Sequence, residues 1–143
     1  FHPHLRPPII KAQQTEDIMR EKARTLALIG AGLINFIPVI GVLSARQIQQ
    51  SYGVDISSPD LEILLRHRAV LFGLAGGFIL YSTYRKDLQN LAIGGGFVSM
   101  VSFIALAVSI GGYSAALNTI IIADVTGCIF LLIALALKPS KPN

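Results

Sequence analysis

Four apolar runs of about twenty residues each constrain the fold of this chain more than any other feature. They cover residues 26–45, 61–84, 88–110 and 114–137. A helix needs about 20 residues to cross the roughly 30 Å hydrocarbon layer of a bilayer, whereas a membrane-spanning strand needs about ten. The runs also lack the two-residue alternation of a strand, so they predict four membrane-spanning helices rather than a β-barrel.

The segments between the runs predict how these helices connect. Ser-Pro-Asp at 58–60 is a typical helix start, with a hydroxyl cap, a proline at the first helical position and an acid near the positive end of the helix dipole. Short turns at 85–87 and 111–112 make successive helices antiparallel neighbours. The sequence therefore predicts an all-α, up-down four-transmembrane-helix bundle, in which Pro38 bends the first helix.

The composition agrees with a membrane protein, and the sequence contains no recognised catalytic or metal-binding motif. Charged residues make up 14% of the chain, against about 25% in soluble domains. The single cysteine, Cys128, excludes an intrachain disulfide and a cysteine metal cluster. The sequence has no glycine-rich phosphate loop and no serine nucleophile motif. We therefore predict no enzyme activity, no cofactor, no metal and no nucleic-acid partner.

The segment before the first run predicts an arm and a charged helix over residues 1–24, ahead of a transmembrane domain over 25–138 and a tail over 139–143. Residues 1–14 contain three prolines and no periodicity, which is typical of an extended arm. Apolar residues near helical spacing follow, with charges between them. They indicate either an amphipathic helix at the membrane interface or a charged extension of the first span.

The basic residues predict the orientation in the membrane. Most of them fall on one side of a four-span arrangement: Arg6, Lys11, Arg20, Lys22, Arg24, Arg85, Lys86, Lys138 and Lys141. The opposite side has Arg46, apart from the arginines inside the second span. By the positive-inside rule, both termini face the cytoplasm or the mitochondrial matrix, and a loop over 47–57 faces outward.

An intramembrane polar layer is the most informative feature for function. Counting the helical rise from the outward end of each span places polar groups from all four helices at similar depth. The members of this layer are Asn35, Arg66, His67, Arg68, Ser102 and Asp124. An isolated charge at such depth costs several kcal/mol, so charged members should face inward and pair.

Small residues predict which way these side chains point, because they mark close helix packing. The predicted packing residues are Gly73 and Gly77 on the second span, and Ala123 and Gly127 on the fourth. Arg66 shares a helix face with the first pair, and Asp124 lies beside the second pair. We therefore predict an Arg66–Asp124 ion pair inside the bundle. Arg68 is about 200° away around its helix and is predicted to snorkel outward or to meet a partner.

Other members of the layer would complete the pair. Asn35 and Ser102 are predicted to satisfy the remaining polar groups, and Glu62 is a second acid one turn before Arg66. Three interpretations stay open: a structural ion pair that fixes helix register, a pocket for a small molecule, lipid headgroup or proton, and His67 as an axial ligand of haem or chlorophyll.

Several strings resemble a family of small uncharacterised bacterial proteins with four membrane spans. They are FIPVIGVLSARQIQQSYGVD, LEILLRHRAVLFGL, SMVSF, GGYSAAL and IADV, and the resemblance covers about residues 26–137. Arg-His-Arg-Ala-Val-Leu-Phe-Gly is its most specific element, whereas Ser114 stands where the resemblance implies asparagine. Members are sometimes mislabelled phosphopantetheine adenylyltransferase. That enzyme needs a soluble nucleotide-binding α/β domain and a His-x-Gly-His-type motif, and this sequence has neither.

A basic extension on a bacterial-type core, beginning without methionine, suits an organellar protein whose leader was removed. We therefore expect a mitochondrial or bacterial inner membrane. Two functions remain open. The chain is either a non-catalytic subunit of a larger membrane complex, such as a respiratory or other energy-converting assembly, or a separate protein that binds a ligand or relays protons through Arg66, Asp124 and Asn35.

Overall fold

The computed structural model describes residues 8–139, and within them every regular element is helical. The elements in chain order are α1 (Pro8–Phe36), a 3₁₀ helix (Ile37–Val42), α2 (Ala45–Tyr52), α3 (Pro59–Ser82), a 3₁₀ turn (Lys86–Leu88), α4 (Gln89–Ile110) and α5 (Ala115–Ala136). Four of them, α1, α3, α4 and α5, are long and apolar enough to cross a membrane. The predicted all-α membrane bundle is confirmed. Expectations for residues 1–7 and 140–143, Arg6 and Lys141 included, lie outside the described residues.

The four long helices form a ring in chain order. α1 packs against α3 and α5, and α4 packs against the same two helices from the other side. One fully buried side chain from each long helix meets in the common core: Leu28, Ile79, Met100 and Leu131. One end of this bundle, called here the cavity end, contains the end of α1 and the starts of α3 and α5.

Serine caps define the starts of two helices at the cavity end. The side chain of Ser58 accepts a hydrogen bond from the Leu61 N–H at 3.2 Å, and Ser114 accepts one from Leu117 at the same distance. Gly111 and Gly112, with φ of 68° and 65°, turn the chain from α4 into α5. Each of α3, α4 and α5 therefore begins and ends within two residues of its predicted span.

The first span differs from the prediction at both ends. α1 is one unbroken helix from Pro8, so the extended arm predicted over 1–14 is wrong for its described part. The charged segment continues the first span directly. At its other end α1 stops at Phe36, because Pro38 has no N–H to donate to the Ile34 carbonyl. The chain then continues as a 3₁₀ helix.

The loop predicted over 47–57 is partly helical. α2 forms because one apolar residue among polar ones, Ile48, is buried to 1% exposure against the bundle. It packs so close to Gly41 that a Cβ there would lie 3.2 Å from Ile48 Cγ1. Gly53 ends the helix with φ of 63°, and its N–H donates to the Gln49 carbonyl at 2.9 Å. α2 and the 3₁₀ helix thus form a cover over the cavity end.

Candidate ligand-binding cavity

A cavity of about 360 Å³ lies beneath this cover, between α1, α3 and α5. That volume falls within the range of small-molecule pockets in proteins, about 300–1,000 Å³. Its walls are mostly apolar and are dominated by five isoleucines: Ile34, Ile37, Ile40, Ile48 and Ile120. A cavity of this size and lining accommodates an apolar group larger than a single ion or water molecule.

Two buried polar side chains from different helices line the cavity. Asn35 of α1 is 1% exposed, and Asp124 of α5 is 5% exposed. The Asn35 Nδ2 donates to the Ala31 carbonyl at 3.3 Å. The Oδ1 of Asn35 and the Oδ2 of Asp124 are buried and have no hydrogen-bond partner within residues 8–139. Since an unsatisfied buried acceptor costs about 1–3 kcal/mol, these two residues of the cavity lining each contain an acceptor that a donor would stabilise.

The cover contributes most of the other polar lining. Gln47, Ser51 and Tyr52 come from α2, and Thr119 comes from α5, where its hydroxyl donates to the Ala115 carbonyl at 3.2 Å. The backbone carbonyl of Tyr52 accepts a hydrogen bond from the Ser114 hydroxyl at 3.1 Å. This bond ties the end of α2 to the start of α5. The sequence analysis missed these residues because it treats 47–57 as a loop, although Ala45, Ile48 and Tyr52 recur at the spacing of an amphipathic helix.

Arg68 is the cation beside the cavity, and the partners that it meets are aromatic rings. Its guanidinium carbon lies 4.3 Å from the ring centre of Phe103, 5.0 Å from that of Phe72 and 5.4 Å from that of Tyr52. Within the described residues it forms no salt bridge, although its charge acts on both Asp124 and Tyr52. One of these rings, that of Tyr52, belongs to α2, so Arg68 connects α3 to α2.

Tyr52 is close enough to both Arg68 and Asp124 to interact electrostatically with each. Burial raises the pKa of its phenol, and the nearby Asp124 carboxylate acts in the same direction. Arg68 lowers that pKa, but its influence is smaller than that of burial. Tyr52 therefore connects the cation on α3 to the cavity that contains Asp124.

The predicted Arg66–Asp124 ion pair is wrong. Arg66 Nη2 instead lies 2.8 Å from the Glu62 carboxylate, one turn earlier on α3, and the two side chains are 41% and 35% exposed. Helical side chains lean toward the N-terminus of their helix, so Glu62 is the nearer acid. Arg66 and Glu62 therefore form a pair at the rim of the bundle rather than in its interior.

The rest of the predicted polar layer lies outside the cavity. His67 is exposed, and the described residues contain no group of three metal-ligating side chains. Ser102 is exposed and donates to the Ser99 carbonyl at 3.1 Å. Both serines line a shallow groove beside Arg68 and Phe103, between α3 and α4. The structure therefore brings together only Asn35 and Asp124 from the predicted layer, with Arg68 next to them.

Of the predicted packing residues, three are in close contact or at the cavity. A Cβ on Gly73 would lie 2.5 Å from Val39 Cγ2, and one on Gly127 would lie 2.6 Å from Met100 Cε. Ala123 lines the cavity. A Cβ on Gly77 would be 3.9 Å from the Phe36 ring, which is ordinary contact. The closest helix approach is instead at Gly76, one position earlier.

A further buried cation lies toward the opposite end of the bundle. Arg24 of α1 is 4% exposed, and its Nε and Nη1 have no hydrogen-bond partner within residues 8–139. Nearby, Glu21 of α1 pairs with Lys86 of the turn between α3 and α4. The orientation argument placed Arg24 among the interfacial basic residues, whereas the structure buries it.

Comparison of the chain with protein families, with curated proteins and with solved structures finds no match. The resemblance to bacterial four-span proteins therefore stays a prediction.

Proposed function

We propose that this membrane protein binds a small, largely apolar molecule in the cavity at the end of its bundle. The observation that carries this proposal is that Asn35 and Asp124 both line one cavity, and that each has a buried acceptor oxygen with no donor within residues 8–139. A bundle selected only for stability would gain by replacing such groups with apolar ones. A bound molecule with a hydrogen-bond donor satisfies both acceptors and fills the apolar volume around them.

The proposal is binding rather than catalysis. Asp124 is the one charged side chain among the described residues that line the cavity. General acid–base or nucleophilic catalysis requires a second group within hydrogen-bond reach, and Asp124 Oδ2 has no hydrogen-bond partner within residues 8–139. The lining supports recognition of a ligand, with the isoleucines holding its apolar part.

A cavity-filling variant tests this function. We expect phenethyl alcohol to raise the thermal unfolding temperature of the protein in lipid nanodiscs. Ala123→Leu fills part of the cavity and should abolish this shift. Ala136→Leu, at an exposed position of the same helix, should preserve it and controls for partition of the alcohol into lipid. Equal shifts in all three proteins would contradict binding in the cavity.

A second candidate is a non-catalytic subunit of a larger membrane complex, such as a respiratory or other energy-converting assembly. The observation in its favour is the first part of α1, where every residue from 8 to 20 is exposed, Ile9 to 74% and Met19 to 62%. A helix without cover gains little stability alone, and a partner subunit would bury it. Mild-detergent extraction, a native gel and mass spectrometry of the band test this candidate. Migration as a lone monomer or small homo-oligomer would exclude it.

For the orientation, we propose that both termini lie on the cytoplasmic or matrix side of a bacterial or mitochondrial inner membrane. Support comes from the excess of lysine and arginine at the end of the bundle opposite the cavity. Single cysteines at Gln13 and Asp55, placed in a Cys128→Ala background, test it. An impermeant maleimide should label the cysteine at 55 in intact cells or mitoplasts, and the cysteine at 13 only after permeabilisation. The reverse pattern would overturn the orientation.

A further inference from the structure

We infer that the ligand of this cavity is an apolar molecule with a protonated primary or secondary amine. This inference rests on the proposed binding function and names the chemical class of the ligand. The class follows from three features: the two buried oxygens without a hydrogen-bond donor, the charge of the cavity lining, and the volume and apolar walls of the cavity.

Both orphan atoms are oxygens that only accept hydrogen bonds at this site. Asn35 already uses its amide nitrogen to donate to the Ala31 carbonyl, so its Oδ1 is the atom left for a ligand. Asp124 Oδ2 is the second such atom. A protonated amine has two or three N–H donors and no acceptor, so one ammonium group can serve oxygens on two different helices.

Charge favours an ammonium over a neutral donor. A carboxylate at bilayer depth is costly unless a cation compensates it, and no cationic side chain is among the described lining residues of the cavity. Arg68 acts on Asp124 from beside the cavity but forms no salt bridge within residues 8–139. Its guanidinium is instead held over three aromatic rings. The Oδ2 of Asp124 is therefore buried without a hydrogen-bond partner within residues 8–139, and a small adjustment of the side chain would bring it to a ligand in the cavity.

The cavity favours an organic cation over a metal ion. A volume of about 360 Å³ with isoleucine walls leaves most of the space to an apolar body. Hard cations need about six oxygen ligands around a small centre. Tyr52 and Phe72 also line the cavity and add aromatic surface for the apolar body of a ligand. An amine on an aromatic or branched aliphatic body fits each of these features.

Three probes of similar size test the inference: phenethylamine, phenethyl alcohol and phenethyltrimethylammonium. The dissociation constant of each is measured for the protein in nanodiscs, with the Ala123→Leu variant subtracting partition into lipid. We expect phenethylamine to bind at least about tenfold more tightly than the alcohol, because the amine is charged and compensates the carboxylate whereas the alcohol is neutral. The trimethyl compound has the charge but no N–H, so it should bind about tenfold more weakly than the amine.

Variants of two acids assign the effect to Asp124. Asp124→Asn keeps the shape of the side chain and should remove the preference for the amine while alcohol binding changes less than about threefold. Glu62→Gln removes the rim acid that pairs with Arg66 and should leave all three constants unchanged.

The outcomes separate the inference from the function on which it rests. If the alcohol or the trimethyl compound binds as tightly as the amine, or if Asp124→Asn keeps the amine preference, the inference is overturned and the binding function stands. If none of the three probes distinguishes the native cavity from Ala123→Leu, the binding function itself fails.

Discussion

Gly76 of α3 lies against the backbone of Gly32 on α1. A Cβ on Gly76 would come within 2.7 Å of the Gly32 carbonyl oxygen and 2.5 Å of the Phe36 backbone nitrogen. Backbone atoms cannot rotate away as a side-chain end can, so Gly76→Ala must push the two helices apart. We expect it to lower the free energy of unfolding by about 1–3 kcal/mol, as overpacked sites do. Unfolding in mixed micelles, followed by circular dichroism, measures this loss.

Gly77→Ala is the matched control for that variant. The nearest atom to its added Cβ is the Phe36 ring at 3.9 Å, and alanine is favoured over glycine inside a helix by up to about 1 kcal/mol. We expect unchanged or slightly raised stability. A Gly77→Ala protein less stable than Gly76→Ala would show that α3 is rotated relative to the arrangement described above.

The two arginines of α3 should contribute unequally to stability. Arg68→Gln removes a guanidinium from three aromatic rings, and we expect it to cost about 1–2 kcal/mol. Arg66→Gln removes a half-exposed pair with Glu62, one turn apart on the helix, which is worth about 0.3–0.5 kcal/mol. The same unfolding assay compares them. A larger loss for Arg66→Gln would place that residue, rather than Arg68, in the interior.

Ser114 caps α5 and also binds α2, whereas Ser58 only caps its helix and therefore serves as the control. Each serine caps a helix, and alanine at either position should cost about 1 kcal/mol. Ser114 also donates to the Tyr52 carbonyl, so Ser114→Ala should additionally loosen α2. Hydrogen exchange at Ile48 and its neighbours should therefore quicken in Ser114→Ala and stay unchanged in Ser58→Ala. Equal exchange in both variants would show that this bond does not hold the cover.

Tyr52 predicts a dependence of stability on alkaline pH. Because burial raises the pKa of its phenol above the usual 10.0, the unfolded chain loses this proton at a lower pH than the folded protein. Below the pKa of the unfolded chain, Tyr52 is protonated in both states and does not change the free energy of unfolding. Above it the unfolded state binds fewer protons, so the free energy of unfolding falls as pH rises.

A difference titration isolates this residue. The ultraviolet absorbance of ionised phenol is followed against pH for the native protein and for Tyr52→Phe. The difference between the two curves should correspond to one phenol whose pKa lies above the usual 10.0. A difference curve with its midpoint at or below pH 10.0 would contradict the burial of Tyr52 under the cover.

The fold was largely predictable because its strongest determinants are local. Long apolar runs and the serine caps at 58 and 114 mark the spans without knowledge of their neighbours. α2 was missed because it is only eight residues long and mostly polar, although Ala45, Ile48 and Tyr52 recur at helical spacing and indicate an amphipathic helix. This helix depends on the space that Gly41 leaves in another element.

The sequence predicts the depth of the polar side chains in the bundle, but not which of them pair with one another. Helical rise placed Asn35 and Asp124 at a common level, and they do line one cavity. The partner of Arg66 could not be predicted from depth alone. Arg66 precedes the buried residues Ala69 and Gly73 by three and seven positions, so it starts from the packed side of α3. Its Nη2 nevertheless lies 2.8 Å from the carboxylate of Glu62, one turn earlier on the same helix, and Asp124 on α5 is left without an ion pair among the described residues.

The change from α-helix to 3₁₀ helix after Phe36 also adjusts the first span to the bilayer thickness. The apolar part of α1 from Leu26 to its end rises about 17 Å, which is little more than half of the hydrocarbon layer. A 3₁₀ helix rises about 2.0 Å per residue rather than 1.5 Å, so residues 37–42 add about 12 Å. Together the two segments approach the roughly 30 Å required. The proline that ends α1 therefore lengthens a short span and at the same time begins the cover of the cavity.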